Sequence, residues 1–313
     1  MSDAPTTTTT DVLEGVDLSG RTILVTGATT GIGRETARAL AAAGASVVIT
    51  ARSDDKGAAT VAGMRDRVPG AEVSYEVLEL GSLDSVRAFT DRFTAAHDRL
   101  DVLIGNAGIM AVPFGRTDEG FELQFGTNHL GHFDLVGRLL PLLLASAPSR
   151  VVLLSSGGHM ASDILWDDPN FESHEYDKMD AYGQSKTANI LHAVELERRY
   201  GPLGVHAYAV HPGMVATQLG RNFTPDVMED LKARAASAPS GGGALPPVVG
   251  TDVGAATSVW AATAPELVAQ GGTYLADCAV ATAAPYAMDP DAAARLWALS
   301  EELVGETFPA PDA

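Results

Sequence analysis

Thr22-Ile23-Leu24-Val25-Thr26-Gly27-Ala28-Thr29-Thr30-Gly31-Ile32-Gly33 decides the fold. A short apolar run ends in a glycine-rich turn, and residues 33–43 then read as a helix. Glycines let the chain turn tightly and bring its backbone close to a pyrophosphate. The first turn of the helix adds unpaired N–H groups and a partial positive charge. A glycine-rich loop alone is a generic turn; this one gains meaning from standing between a strand and a helix. Gly27, Thr29, Thr30, Gly31, Ile32 and Gly33 are therefore candidate contacts to a dinucleotide.

Outward from that loop, strand-like and helix-like segments alternate. Ser46–Ala51 predicts a second strand, Asp54–Arg67 a helix and residues 73–80 a third strand. Ser82 reads as the N-cap of a helix through Ala96. Residues 100–104 and 150–154 predict two more strands, separated by a long helix over about 119–145. A helix over 180–199, a sixth strand over 205–210, a helical stretch over 251–270 and a seventh strand over 273–275 follow. The strands scarcely alternate between apolar and polar residues, so helices should cover both faces. The expectation is an α/β fold: a Rossmann-type, doubly wound parallel sheet of about seven strands in a three-layer αβα arrangement. Residues 1–19 are expected to form a flexible tail and 20–313 a single domain. Within it, about 218–250, including the glycine-rich stretch 239–243, should be a mobile region that closes over substrate.

The chain has 313 residues, enough for a domain that buries about 75% of the surface of its unfolded state. Against 21 basic residues stand 40 acidic ones, a formal charge of −19, which repels nucleic acid and anionic membranes. Cys278 is the only cysteine, so an intrachain disulfide is impossible and a reducing compartment fits. Residues 1–10 are polar and unlike a secretory signal. The apolar cluster 139–145 contains Pro141 and is too short to span a bilayer. These features lead us to expect a soluble, cytoplasmic protein with no nucleic-acid or membrane partner.

The second predicted strand ends at Ala51-Arg52-Ser53. An NAD site usually carries an acid near Ala51 that accepts from the ribose hydroxyls; here the position is neutral and a guanidinium follows. Arg52 is placed to pair with a 2′-phosphate, and Ser53 adds a donor. NADP(H) is therefore favoured, with NAD(H) possible. Asn106-Ala107-Gly108 follows the fourth strand, at the carboxyl edge where ligands of parallel sheets bind.

Tyr182 and Lys186 stand at i and i+4 on a predicted helix, hence on one face. A phenol titrates near 10, too high for a base at neutral pH, and a nearby ammonium should lower that value. Ser155-Ser156 ends the fifth strand at the same carboxyl edge, where a hydroxyl can hold a substrate oxygen beside Tyr182. His129 and His132 have ligand-like spacing but no third partner in a recognisable pattern, so no metal is expected. Asp167-Asp168 reads as a solvated turn rather than an acid/base pair. His159, Trp166, Met214 and Leu219 are candidate substrate contacts by location.

Taken together, TGATTGIG, NAG, the segment Thr127-Asn128-His129-Leu130-Gly131-His132, VVLLSS, YGQSK and His211-Pro212-Gly213-Met214-Val215-Ala216-Thr217 resemble the short-chain dehydrogenase/reductase family over roughly residues 20–280. The resemblance implies an oxidoreductase that interconverts an alcohol and a carbonyl compound by hydride transfer. Its catalytic set would be Asn128, Ser156, Tyr182 and Lys186. Tyr182 would be the general acid/base, Ser156 would orient the substrate oxygen, and Lys186 would bind the nicotinamide ribose. Asn128 would hold a water linking Lys186 to solvent. Pro212, Gly213, Val215 and Thr217 would border the nicotinamide, and Glu79 with Leu80 the adenine. Three departures stand out: Gly105 replaces the first amide of the usual NNAG, Glu79 replaces an aspartate, and the stretch from Ser156 to Tyr182 is longer than in the simplest members. That longer stretch resembles the insert of the retinol-dehydrogenase-like branch. The family also implies a homodimer or homotetramer through the helices of Asn128 and Tyr182. A catalytically silent NADP(H)-sensing protein and a C=C reductase on the same fold remain alternatives.

Overall fold

A computed structural model describes residues 6–237 and 245–309; the stretch 239–243 lies outside them. Helix α1 (Thr9–Val12), β1 (Thr22–Val25), α2 (Gly31–Ala42), β2 (Ser46–Ala51), α3 (Asp54–Arg67), β3 (Val73–Val77), α4 (Leu83–Ala96) and β4 (Val102–Gly105) open the alternation. The long central helix is composite: α5 (Leu123–Phe125), a π-helical turn Gly126–Leu130, then α6 (Gly131–Ala145). Next come β5 (Ser149–Leu154), α7 (Lys178–Tyr200), β6 (Val205–His211), β7 (Met214–Val215), α8 (Pro225–Ser237), β8 (Val248–Val249), α9 (Thr251–Thr263), β9 (Thr273–Ala276), β10 (Ala279–Val280) and α10 (Pro290–Val304).

Eight strands form the main sheet in the order β10-β9-β6-β5-β4-β1-β2-β3. Every neighbouring pair is parallel except β9 with β10. The chain leaves β1 toward β2 and β3, then crosses back to β4, β5 and β6 on the other side. That reversal opens a crevice at the carboxyl ends of β1 and β4, the place where such sheets hold ligands. The eighth strand exceeds the expected seven. Its hairpin turns on Asp277 and Cys278, both with positive φ (51° and 53°), so the glycine or asparagine that usually marks such a turn is missing. A separate parallel pair, β7 with β8, stands apart from the main sheet.

Helices cover both faces. Phe89 and Phe93 of α4, Phe133 and Leu139 of α6, Leu191 of α7 and Trp297 of α10 pack on one. Leu40 of α2, Val61 of α3 and Val259 of α9 pack on the other. Among the described residues no helix is long and apolar enough to cross a membrane.

The geometry bears on three expectations. The tail is ordered from α1 onward: Thr8 and Asp11 form a capping box, buried Thr9 donates to Glu35 Oε1 at 2.8 Å, and Leu18 N donates to Ala43 O. The expected mobile region contains α8, which Arg234 ties to Asp177 and Asp180 at the head of α7. The helices expected to pair between subunits are covered within one chain, because α10 lies against α7 and Phe308 packs where Gly137 leaves room on α6.

Candidate active site

Gly31 begins α2 in a left-handed conformation (φ 57°), and a Cβ there would lie 3.2 Å from Thr217 Cγ2. A Cβ on Gly33 would lie 2.3 Å from the Asn106 amide nitrogen, and that amide donates to Thr26 O at 2.8 Å. The loop is thus pressed against the turns after β4 and β6, with no room for a side chain at Gly33 and little at Gly31. Thr30, the N-cap of α2, makes no side-chain capping bond, so the first N–H groups of the helix stay available to an anion.

A cavity of about 1790 Å³ runs along this edge. Gly27, Thr29, Thr30, Gly31, Ile32, Gly33, Asn106, Ala107 and Gly108 line its middle. Arg52, Glu79 and Leu80 line one end, joined by Lys56, which sequence reading missed. Its position one turn into α3, on the same side as Arg52, was the available signal. Ser53 stands off this lining as the N-cap of α3, where the chain has already turned away from β2. The Glu79 carboxylate accepts from Gly81 N at 3.1 Å. Pro212, Gly213, Met214, Val215, Thr217 and Leu219 form the opposite wall with Ser156, Tyr182 and Lys186. The uncapped start of α2, a loop whose glycines leave the backbone bare and cations at one end fit a nicotinamide dinucleotide with its phosphates along α2.

At the floor of the cavity α7 supplies Tyr182 and Lys186, both buried. Asp177 caps α7 by accepting from Met179 N and Asp180 N, which fixes where the helix begins and so which face carries the pair. Lys186 Nζ donates to Leu154 O at 2.9 Å and lies 5.6 Å from the centroid of the Tyr182 ring. Ser156 Oγ accepts from Gly158 N at 3.0 Å and faces the Tyr182 phenol closely enough to favour its ionised form. The phenol, the hydroxyl and the amine therefore share one pocket.

The expected lowering of the phenol pKa by Lys186 is not found. Burial pushes Tyr182 up to about 12, and only the Ser156 hydroxyl pulls the other way. Desolvation brings Lys186 down to about 8. The amine is aimed at a backbone carbonyl and passes the ring's face, so its charge is not directed at the phenol oxygen. At neutral pH the phenol keeps its proton and the lysine is charged.

Asn128 sits in the π-helical turn, a distortion that recurs at functional sites. Its amide clasps Ile109: Oδ1 accepts from Ile109 N and Nδ2 donates to Ile109 O, both at 2.9 Å. Nδ2 also donates to Ser185 Oγ at 3.0 Å. Asn128 is a strut behind Gly108 rather than part of the cavity wall, and the expected water link is left with one lone pair of Oδ1.

Leu153 and His132 account for the altered NNAG motif. A Cβ on Gly105 would lie 2.9 Å from Leu153 Cδ2 and 3.1 Å from His132 Cδ2, so glycine makes room for both side chains. His132 Nε2 meets Thr26 Oγ1 at 2.9 Å and Nδ1 meets Asn128 O at 2.9 Å. His129 turns elsewhere, to Ser300 Oγ at 2.8 Å. Both rings are core struts and share no ligand position.

Met214 and Leu219 reach the cavity, but two of the expected substrate contacts do not. His159 is buried against Ala284 and the Ser156 backbone. Trp166 packs on the core under Arg295, 4.3 Å from its ring centroid. Asp168, expected as a solvated turn, is buried and accepts from the backbone of Glu172, Ser173 and His174. The apolar wall comes instead from Met110, Val112, Leu123, Met160, Met179, Phe223, Met228 and Leu231. Most of these lie in loops and in α8, with Leu123 at the start of α5 and Met179 in the first turn of α7, where no periodic signal marks them.

A family model described as short chain dehydrogenase matches residues 21–227. Retinol dehydrogenase 13 of Homo sapiens is 39% identical over 299 residues, covering 93% of this chain and 87% of that protein. Retinol dehydrogenase 12 of Mus musculus is 41% identical over 290 residues, covering 93% and 88%. A crystal structure of an uncharacterized protein from Mycobacterium paratuberculosis matches with a TM-score of 0.75 and 35% identity, over 97% of this chain and 99% of that one. The chain belongs to the short-chain dehydrogenase family, in its retinol-dehydrogenase-like branch, and is an oxidoreductase acting on CH–OH groups.

Proposed function

We propose that this chain interconverts a bulky apolar alcohol and its carbonyl compound, prefers NADP(H), and moves the proton through Tyr182. The observation that carries the reading is the meeting of Tyr182, Ser156 and Lys186 on the floor of one cavity, with Arg52 and Lys56 at one end and a methionine-rich wall at the other. Methionines adapt to irregular apolar shapes, which suits a large flexible substrate. The relatives are named for retinol, an alcohol, and the apolar wall agrees with a substrate of that kind.

Bound along the cavity, a nicotinamide dinucleotide supplies or takes up the hydride. The remaining work falls to side chains. The loop of residues 27–33 and the N-terminus of α2 would hold its phosphates, and Arg52 with Lys56 a 2′-phosphate. Ser156 Oγ already accepts from Gly158, so its own proton is left to donate to the substrate oxygen. Tyr182 gives its proton to that oxygen in reduction and takes it back in oxidation. Lys186, held by Leu154 O, keeps its positive charge on the cavity floor, where it would hold the nicotinamide ribose.

The test is turnover of a panel of long-chain and polycyclic aldehydes and ketones with NADPH. Tyr182→Phe should lower kcat by about 10²–10⁴-fold while leaving NADPH binding near normal. Substantial activity in that variant removes Tyr182 as proton donor. Tight NADPH binding without turnover of any compound would favour the nucleotide-sensing alternative.

A further inference from the structure

Ser156 lies just beyond the reach of the sheet. The last paired residues of β5 and β6 are Leu154 and Val210, and Ser155 N makes the final bond between the two strands, to Val210 O; beyond it His159 N donates to Ser156 O at 3.2 Å. Past that point two histidines take over. Gly157 N donates to His211 Nδ1 at 3.1 Å. A nitrogen that accepts carries no proton, so His211 is protonated on Nε2. On the other side, His159 Nδ1 lies 2.7 Å from Ser156 O, and its Nε2 lies 3.0 Å from Ala284 N. A carbonyl accepts and an amide donates, so His159 is protonated on Nδ1 and bare at Nε2. The Tyr274 ring fills the space between them, its centroid 4.9 Å from His159 and 6.4 Å from His211. The carbonyl of His159 is itself fixed by Tyr286 Oη at 2.7 Å. Burial lowers both imidazole pKa values, His211 to about 4, so both rings are neutral at neutral pH.

We infer that His159 and His211 are positioning residues: two neutral imidazoles in opposite tautomers clamp the backbone of residues 156–158 and thereby set the direction of the Ser156 hydroxyl. The clamp rests on the proposed role of Ser156. Its leverage is direct, because the Gly158 N–H that occupies Ser156 Oγ belongs to the clamped segment. A displacement of the oxygen by about 1 Å is enough to cost about 10²-fold in rate.

Asparagine places an amide where Nδ1 of histidine stands, and glutamine places one near Nε2. His159→Asn and His211→Asn can therefore keep the bonds to Ser156 O and Gly157 N, while His159→Gln and His211→Gln lose them. The Asn variants should hold kcat within about threefold of wild type, and the Gln variants should lose about tenfold or more at unchanged NADPH affinity. Backbone amide exchange at Gly157 and Gly158 should rise about tenfold in the Gln variants only. Imidazole nitrogen shifts in the wild-type protein should report N–H at Nε2 of His211 and at Nδ1 of His159. Equal behaviour of Asn and Gln variants in exchange and turnover overturns the clamp, as does one tautomer at both positions. If wild-type protein turns over nothing on the panel, the functional reading fails, and exchange and tautomer state still decide the clamp.

Discussion

Arg52 and Lys56 show how few side chains set a cofactor preference. Both line the end of the cavity beyond Ala51, and among the described residues neither makes an ion pair. A charge-assisted hydrogen bond is worth about 1.5–3 kcal/mol, so Arg52→Asp should raise KM for NADPH by about 10- to 100-fold. KM for NADH should stay near its starting value; equal increases in steady-state assays would remove the case for 2′-phosphate recognition. The proton-handling pair predicts a pH profile. With Tyr182 pushed up to about 12, the acid needed for carbonyl reduction is present throughout the neutral range. Lys186, brought down to about 8, loses its charge above that pH. Reductive kcat/KM should therefore be flat from weakly acid to neutral pH and fall above about 8, while alcohol oxidation, which needs the phenol to accept a proton, should rise with pH. Lys186→Arg keeps the charge, so any residual reduction should lose that descending limb; an unchanged limb would assign it to another group.

At the scale of elements, the sequence is legible where one periodic signal decides the structure. The β1 loop and α2 could be read because a β-branched run, a glycine turn and a helical pattern follow in order. The start of α4 could be read from Ser82, whose Oγ accepts from Ser85 N. The catalytic helix was placed to within a turn, although Asp177, its actual cap, lies before the predicted start. What escaped reading is held by side chains reaching distant backbone. α10 has a strong start in Asp289-Pro290 and a stop at Gly305, signals that were present and went unused. The insert after Ser156 has no period at all. Its fold gathers round Asp168, whose carboxylate accepts from three backbone N–H groups, from Ser173 Oγ and from His174 Nδ1. Burial alone would raise the pKa of Asp168, but those hydrogen bonds outweigh it and hold the group well below the usual carboxylate range. A depressed folded-state pKa stabilises the protein above the unfolded value, near 4, and that contribution is lost as pH falls below it. Asp168→Ala should cost about 2 kcal/mol at pH 7, and its deficit against wild type should shrink in acid. Thermal melts of both proteins from pH 7 down to pH 3 test this; a deficit independent of pH would mean that the carboxylate's charge is not what holds the insert.

For the whole molecule, the decisive contact is the one the chain makes with its own C-terminal segment. α10 sets Trp297 against Phe133, with ring centroids 5.0 Å apart, and against His192 at 5.8 Å. Arg199 stacks on the other part of that indole at 4.6 Å. Beyond Gly305 the chain continues across α6. Phe308 packs beside Gly137 and its carbonyl accepts from Tyr200 Oη at 2.8 Å, while Arg138 pairs with Glu306. Most of α6 and α7 is consequently buried inside one chain. A second copy could pair through these helices only by displacing α10, at the cost of exposing Trp297 and Phe308 to water. Sedimentation equilibrium should therefore give the mass of one chain, where the family resemblance led us to expect two or four. Trp297→Ala should lose about 3–5 kcal/mol of stability, because the indole fills the centre of this contact. Phe308→Asp should loosen the strap and introduce concentration-dependent self-association through the uncovered face of α6. A wild-type dimer whose α6 helices cross-link to each other would show instead that the C-terminal segment yields to a partner.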